Sequence, residues 1–142
     1  MANILIVDDD PAVQLTIRLI LQRAGHRVGV AGDGRAALAL FETVAFDLVF
    51  LDIFMPAMDG LETLRHIRAR ASETPIIVMS GGMSTTEPAS EPDFLYMATK
   101  LGAVASLQKP FRPEALLAAV DGCLTTEPAR LTHRPNRSSD GR

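Results

Sequence analysis

The sequence predicts an α/β fold: a five-stranded parallel sheet, doubly wound, with helices on both faces. Three observations predict it. Five short apolar runs recur along the chain, segments with a helical apolar rhythm lie between them, and acids gather where two of the runs end. At 142 residues the chain has the length of one domain, enough to bury a core without staples.

The first run, NILIV (3–7), is apolar at successive positions, as in a strand covered on both faces. Asp8, Asp9, Asp10 and Pro11 follow. Proline suits the first helical position and aspartate the N-cap before it, so Asp10 and Pro11 open a helix over 11–24. Its Val13, Ile17, Ile20, Leu21 and Ala24 share one face. RVGVA (27–31) is the second strand, and Ala37, Leu40, Phe41 and Val44 mark a helix over 34–44. DLVFL (47–51) is the third strand and delivers Asp52; Met58, Leu61, Leu64 and Ile67 follow on a helix over 58–71. PIIVM (75–79) ends at Ser80. VASL (104–107) precedes Lys109, and Leu116, Leu117, Val120 and Leu124 stripe a last helix over 113–124.

Two segments stand apart. Residues 81–93 are rich in Gly, Pro, Ser and Thr, a connection long enough to be mobile or functional, ahead of a short helix over 93–101. Residues 126–142 are polar, aperiodic and net positive, with four arginines against Glu127 and Asp140, and read as a disordered basic tail after a domain spanning 1–125.

Right-handed crossovers bring the carboxyl ends of parallel strands to one edge, where ligands bind in open α/β sheets. Capping accounts for Asp10 but not for Asp8, Asp9 and Asp52, which crowd that edge and repel one another. A hard divalent cation resolves the repulsion: Mg²⁺ takes carboxylate oxygens and water, and it screens an incoming phosphoryl group. The hydroxyl of Ser80 and the ammonium of Lys109 reach the same edge. Acids, a hydroxyl and an ammonium make a phosphoryl-handling set whose natural nucleophile is a carboxylate.

Net charge is −3, so nothing overall favours nucleic acid as a partner. Cys123 stands alone and forms no internal disulfide, which fits a reducing compartment. No signal-peptide pattern opens the chain and no apolar run approaches membrane-spanning length, so a cytoplasmic protein without a membrane partner is expected.

ILIVDDD, LVFLDIFMPAMDG, IIVMSG and QKPF, in this order and spacing, resemble the receiver domains of two-component response regulators over residues 2–125. The resemblance implies a flavodoxin-like sheet of strand order 2-1-3-4-5, an order that belongs to the family and that alternation of strand and helix leaves open. It implies that Asp52 is the phosphoacceptor. Asp8, Asp9, Asp52 and the backbone carbonyl of Phe54 would hold Mg²⁺, while Ser80 and Lys109 bind phosphoryl oxygens. It implies a cis Lys109–Pro110 bond. Partners would be a histidine kinase, a histidine phosphotransfer protein, or both, the chain itself being a monomer or a weak phosphorylation-dependent homodimer. It implies no enzyme beyond the domain's own phosphorylation and dephosphorylation. Without an output domain after residue 125 the chain reads as a stand-alone receiver.

Three positions depart from the family pattern. Ser106 stands three residues before the lysine, where an aromatic usually reports phosphorylation; Phe111 and Tyr96 are the substitute candidates for the readout. Phe54 lies two residues past Asp52, with Gly82 two past Ser80, so Phe54 is expected to shield the acyl phosphate from water. An unchanged dephosphorylation rate in Phe54→Asn would refute that role. The connection from Ser80 to Gly102 is several residues longer than usual, and phosphorylation is expected to order or shift it.

Blander readings suit other conspicuous side chains. Met55, Met58 and Cys123 read as packing, and His66 on an arginine-rich helix face reads as solvated surface. Two alternatives to the switch are a degenerate receiver acting only as a binding module, for which Ser106 is the argument, and a Mg²⁺-dependent aspartyl-phosphate phosphatase. The phosphatase lacks its proton-transfer group, because Phe54 occupies that position.

Overall fold

The structure is a computed structural model that describes residues 2–53, 60–80 and 98–125. The elements are β1 (Asn3–Val7), α1 (Pro11–Arg23), β2 (Arg27–Ala31), α2 (Gly34–Phe41), β3 (Leu48–Asp52), α3 (Gly60–Arg70), β4 (Ile76–Ser80), β5 (Ala105–Gln108) and α4 (Pro113–Thr125). All strand pairs are parallel and the order is β2-β1-β3-β4-β5, as expected.

Strand alternation divides the apolar residues between two cores. Leu5, Val7, Val49 and Leu51 face Leu64 and Ile67 of α3 and Ala37 of α2. Ile4, Ile6, Leu48 and Phe50 face Ile17 and Leu21 of α1 and Leu116 and Val120 of α4. Continuous apolar runs thus mark the interior strands β1, β3 and β4, which are buried along nearly their whole length. The outer strands differ from the expected two-sided burial. In β5, Ala105, Ser106 and Gln108 are exposed, because an edge strand has a neighbour on one side only.

Asp10 caps α1 as expected, accepting from the Ala12 N–H at 2.9 Å, with Pro11 at the first helical position. The helix closes at Gly25, whose φ of 95° is the left-handed conformation that glycine adopts without a Cβ penalty. The helix expected to reach residue 44 ends at Phe41, where Thr43 and Val44 turn back to the Leu40 carbonyl. Two adjacent β-branched residues disfavour continuing the helix. Val44 is therefore partly exposed rather than in the core, and Phe46 takes its place, its ring edge-on to Phe41 at 5.4 Å.

The helix expected over 58–71 is described from Gly60, and of the one expected over 93–101 the described part is helical at 98–100. The 81–93 connection, the 126–142 tail, Met55 and Met58 lie outside the described residues. Among the described residues no helix is long and apolar enough to cross a membrane.

Candidate functional site

The parallel register assembles the site. Ile6 pairs with Phe50 and Val7 with Leu51, so the next residues on the two strands, Asp8 and Asp52, arrive side by side. Ser80 ends β4 and pairs with Gln108, which sets Lys109 just beyond the same edge. The Lys109 N–H donates to the Ser80 carbonyl at 2.8 Å and joins the two strand ends. The Lys109–Pro110 peptide is cis, as expected.

Lys109 Nζ donates to Asp8 Oδ2 at 2.6 Å and to Asp52 Oδ2 at 3.4 Å. Asp8 is fully buried and Asp52 is 5% exposed. Taking such groups from water is costly, and a shared ammonium offsets part of that cost. Burial alone would lower the Lys109 pKa and is the largest single influence. The hydrogen bond to Asp8, with the charges of Asp52 and Asp8 and the second bond to Asp52, outweighs it and holds the pKa above its ordinary value of 10.5.

Asp8 is fixed on every side. Its N–H donates to the Ala31 carbonyl at 3.0 Å, and its Oδ1 accepts from the Asp10 N–H at 2.9 Å. Its carbonyl accepts from Gln14 Nε2. Asp9 is exposed beside it. Carboxylate oxygens of Asp8, Asp9 and Asp52 lie within 4.8 Å of one another. Opposite ligands around Mg²⁺ are about 4.2 Å apart, twice a metal–oxygen bond of ~2.1 Å, so the cluster has nearly the right span. Three formal carboxylates against one ammonium leave the charge that a divalent cation neutralises. The donor set therefore fits Mg²⁺.

The structure brings together Asp8, Asp9, Asp52 and Lys109, and it buries Ser80 at the end of the adjoining strand. The carbonyl of Phe54, Gly82 and Tyr96 lie outside the described residues. Of the readout candidates, Ser106 sits exposed on edge strand β5, while Phe111 packs partly buried against the α1/α4 core. Phe111 and Pro110 line a largely apolar cleft of about 490 Å³ with Ala12, Val13 and Thr16 of α1, beside Lys109. Cys123 packs against the same core, and His66 is exposed, 3.9 Å from Glu62, so both follow the blander reading. Gln14 was not among the candidates. A polar residue between apolar helix positions reads as solvent-facing, and nothing in the sequence signals otherwise.

Residues 4–121 match the family described as the response regulator receiver domain. The chain is 40% identical over 122 residues to the response regulator MprA of Mycolicibacterium vanbaalenii, covering 86% of this chain and 50% of that protein. It is 33% identical over 128 residues to the transcriptional regulatory protein FixJ of Bradyrhizobium diazoefficiens, covering 89% and 59%. Among solved structures, the chemotaxis protein CheY4 of Vibrio cholerae superposes with a TM-score of 0.77 at 33% identity, over 87% of this chain and 98% of that one. The chain belongs to the response regulator receiver family, whose members are phosphoryl-accepting domains of two-component signalling. It spans about half the length of the first-named of these curated relatives.

Proposed function

We propose that this domain is a two-component signalling switch that accepts a phosphoryl group on Asp52 from a histidine kinase or a histidine phosphotransfer protein. The observation that carries the reading is the ammonium of Lys109 held between two buried carboxylates, Asp8 and Asp52, at the edge where parallel strands end. An Asp52 carboxylate oxygen attacks phosphorus, the bond from phosphorus to the donor's imidazole nitrogen breaks, and its electron pair stays on the ring. Asp8, Asp9, Asp52 and the Phe54 carbonyl would hold Mg²⁺, which when bound offsets charge on the transferring group.

The shorter bond from Lys109 to Asp8 anchors its ammonium while the longer one to Asp52 gives way to a phosphoryl oxygen. Ser80 donates its hydroxyl to another. The apolar cleft beside Lys109 supports approach of a donor helix from the α1 side. The reading takes residues 1–125 as the receiver domain, places it in the cytoplasm, and leaves it catalysing only its own phosphorylation and dephosphorylation. As a protomer it is a monomer or a weak phosphorylation-dependent homodimer.

Incubation with acetyl phosphate and Mg²⁺, followed by intact-protein mass spectrometry, tests this. Wild type should gain one phosphoryl group and Asp52→Asn none. Equal gain in both would move the phosphoacceptor elsewhere; no gain in either, from folded protein, would favour a binding module without phosphoryl chemistry.

A further inference from the structure

We propose that Gln14 is a positioning residue for the metal-binding acids, its side-chain amide locking the peptide plane between Asp8 and Asp9. This rests on the reading that Asp8, Asp9 and Asp52 hold Mg²⁺.

Gln14 lies one turn into α1, and its backbone N–H donates to the Asp10 carbonyl at 3.0 Å, so its own backbone is set by the helix. From there its side chain reaches back six residues, and Nε2 donates to the Asp8 carbonyl. Only the amide nitrogen can make this bond, because a carbonyl oxygen has no proton to give. The side chain is half-buried, and Nε2 lies 3.8 Å from where a side chain on Gly32 would begin, so the end of β2 flanks the amide.

The Asp8 carbonyl shares its peptide plane with the Asp9 N–H. Holding that oxygen fixes the orientation of the plane, and with it the last torsion of Asp8 and the first of Asp9, the two torsions that set where the Asp9 Cβ stands relative to that of Asp8. Asp8 has independent restraints: the Ala31 carbonyl, the Asp10 N–H and Lys109. Asp9 is exposed, so packing does not hold its carboxylate. Gln14 therefore sets where the exposed acid stands relative to the buried one. Groups that orient metal ligands from behind typically change metal affinity by about 10- to 100-fold when removed.

Calorimetric titration of the full chain with Mg²⁺ tests the assignment. Gln14→Met keeps length and neutrality but removes the donor, and it should weaken binding about tenfold. Its Mg²⁺-free melting temperature should stay within about 5 °C of wild type, since only one neutral hydrogen bond is lost. Gln14→Glu is near-isosteric and adds a negative charge that by itself attracts the cation. With the donor gone it should nevertheless bind Mg²⁺ more weakly than wild type. A dissociation constant unchanged in Gln14→Met, or tighter binding in Gln14→Glu, would overturn the positioning role and leave the metal site standing. Absence of Mg²⁺ binding in wild type would overturn the metal site, and this role with it.

Discussion

Gly60→Ala should unfold at a temperature at least about 10 °C below wild type, the equivalent of roughly 3 kcal/mol for a chain of this length. Gly60 opens α3, and a Cβ there would stand 2.1 Å from the Ile53 Cα and 2.6 Å from the Asp52 carbonyl oxygen. Both neighbours are backbone, so no side-chain rotation relieves the clash. Either α3 moves outward and loses Leu61 and Leu64 from the core, or the chain after β3 is displaced. The second response shifts Asp52 itself, so phosphoryl uptake should fall beyond what the lost stability explains. Gly122→Ala is the matched comparison. Gly122 lies within helix α4, and a Cβ there meets nothing within 4 Å. Alanine at such a position should stabilise by about 0.5–1 kcal/mol. Calorimetric melting of both variants decides the matter, and a Gly60→Ala midpoint equal to wild type would mean that α3 does not press on the strand that carries Asp52.

The contrast between these glycines also marks what the sequence makes legible. Strands β1, β3 and β4 were readable because interior strands of a parallel sheet must be apolar at successive positions, as ILIV, LVFL and IIVM are. The acids were readable because Asp8 and Asp52 come directly at the ends of those runs, where burial makes a carboxylate expensive, and Asp9 adds a like charge beside Asp8. Interactions made by backbone were not. The Asp8 carbonyl gives no sign in the sequence that Gln14 reaches it, nor does the Ile53 backbone that Gly60 abuts it. Arg68 is a third case: in an arginine-rich helix it reads as surface, yet it donates to the carbonyls of Ala71, Ser72 and Gly102. The strand order came from resemblance, because alternation of strand and helix fixes parallelism and not sequence of neighbours.

Lys109→Met should destabilise the Mg²⁺-free domain by about 3 kcal/mol, since removing one partner of a buried ion pair leaves the other charge uncompensated. Here the ammonium serves two acids, and Asp8 and Asp52 lose it at a distance where like charges raise each other's cost. Methionine fills much of the lysine's volume, so packing contributes little to the difference. Mg²⁺ should return part of the lost stability, because a ligand that binds only the folded state stabilises it in proportion to RT ln(1 + [L]/Kd). Urea unfolding in EDTA and again in excess Mg²⁺ measures both effects. The same pair makes a pH prediction. Lys109 has a folded-state pKa above 10.5, so its contribution is complete below that value and is lost as pH rises through the higher folded one. Wild type should therefore weaken in strong alkali more steeply than Lys109→Met, and the two stabilities should converge. A variant as stable as wild type in EDTA at neutral pH would show that the two acids tolerate each other without the lysine, and the electrostatic account of this site would fail.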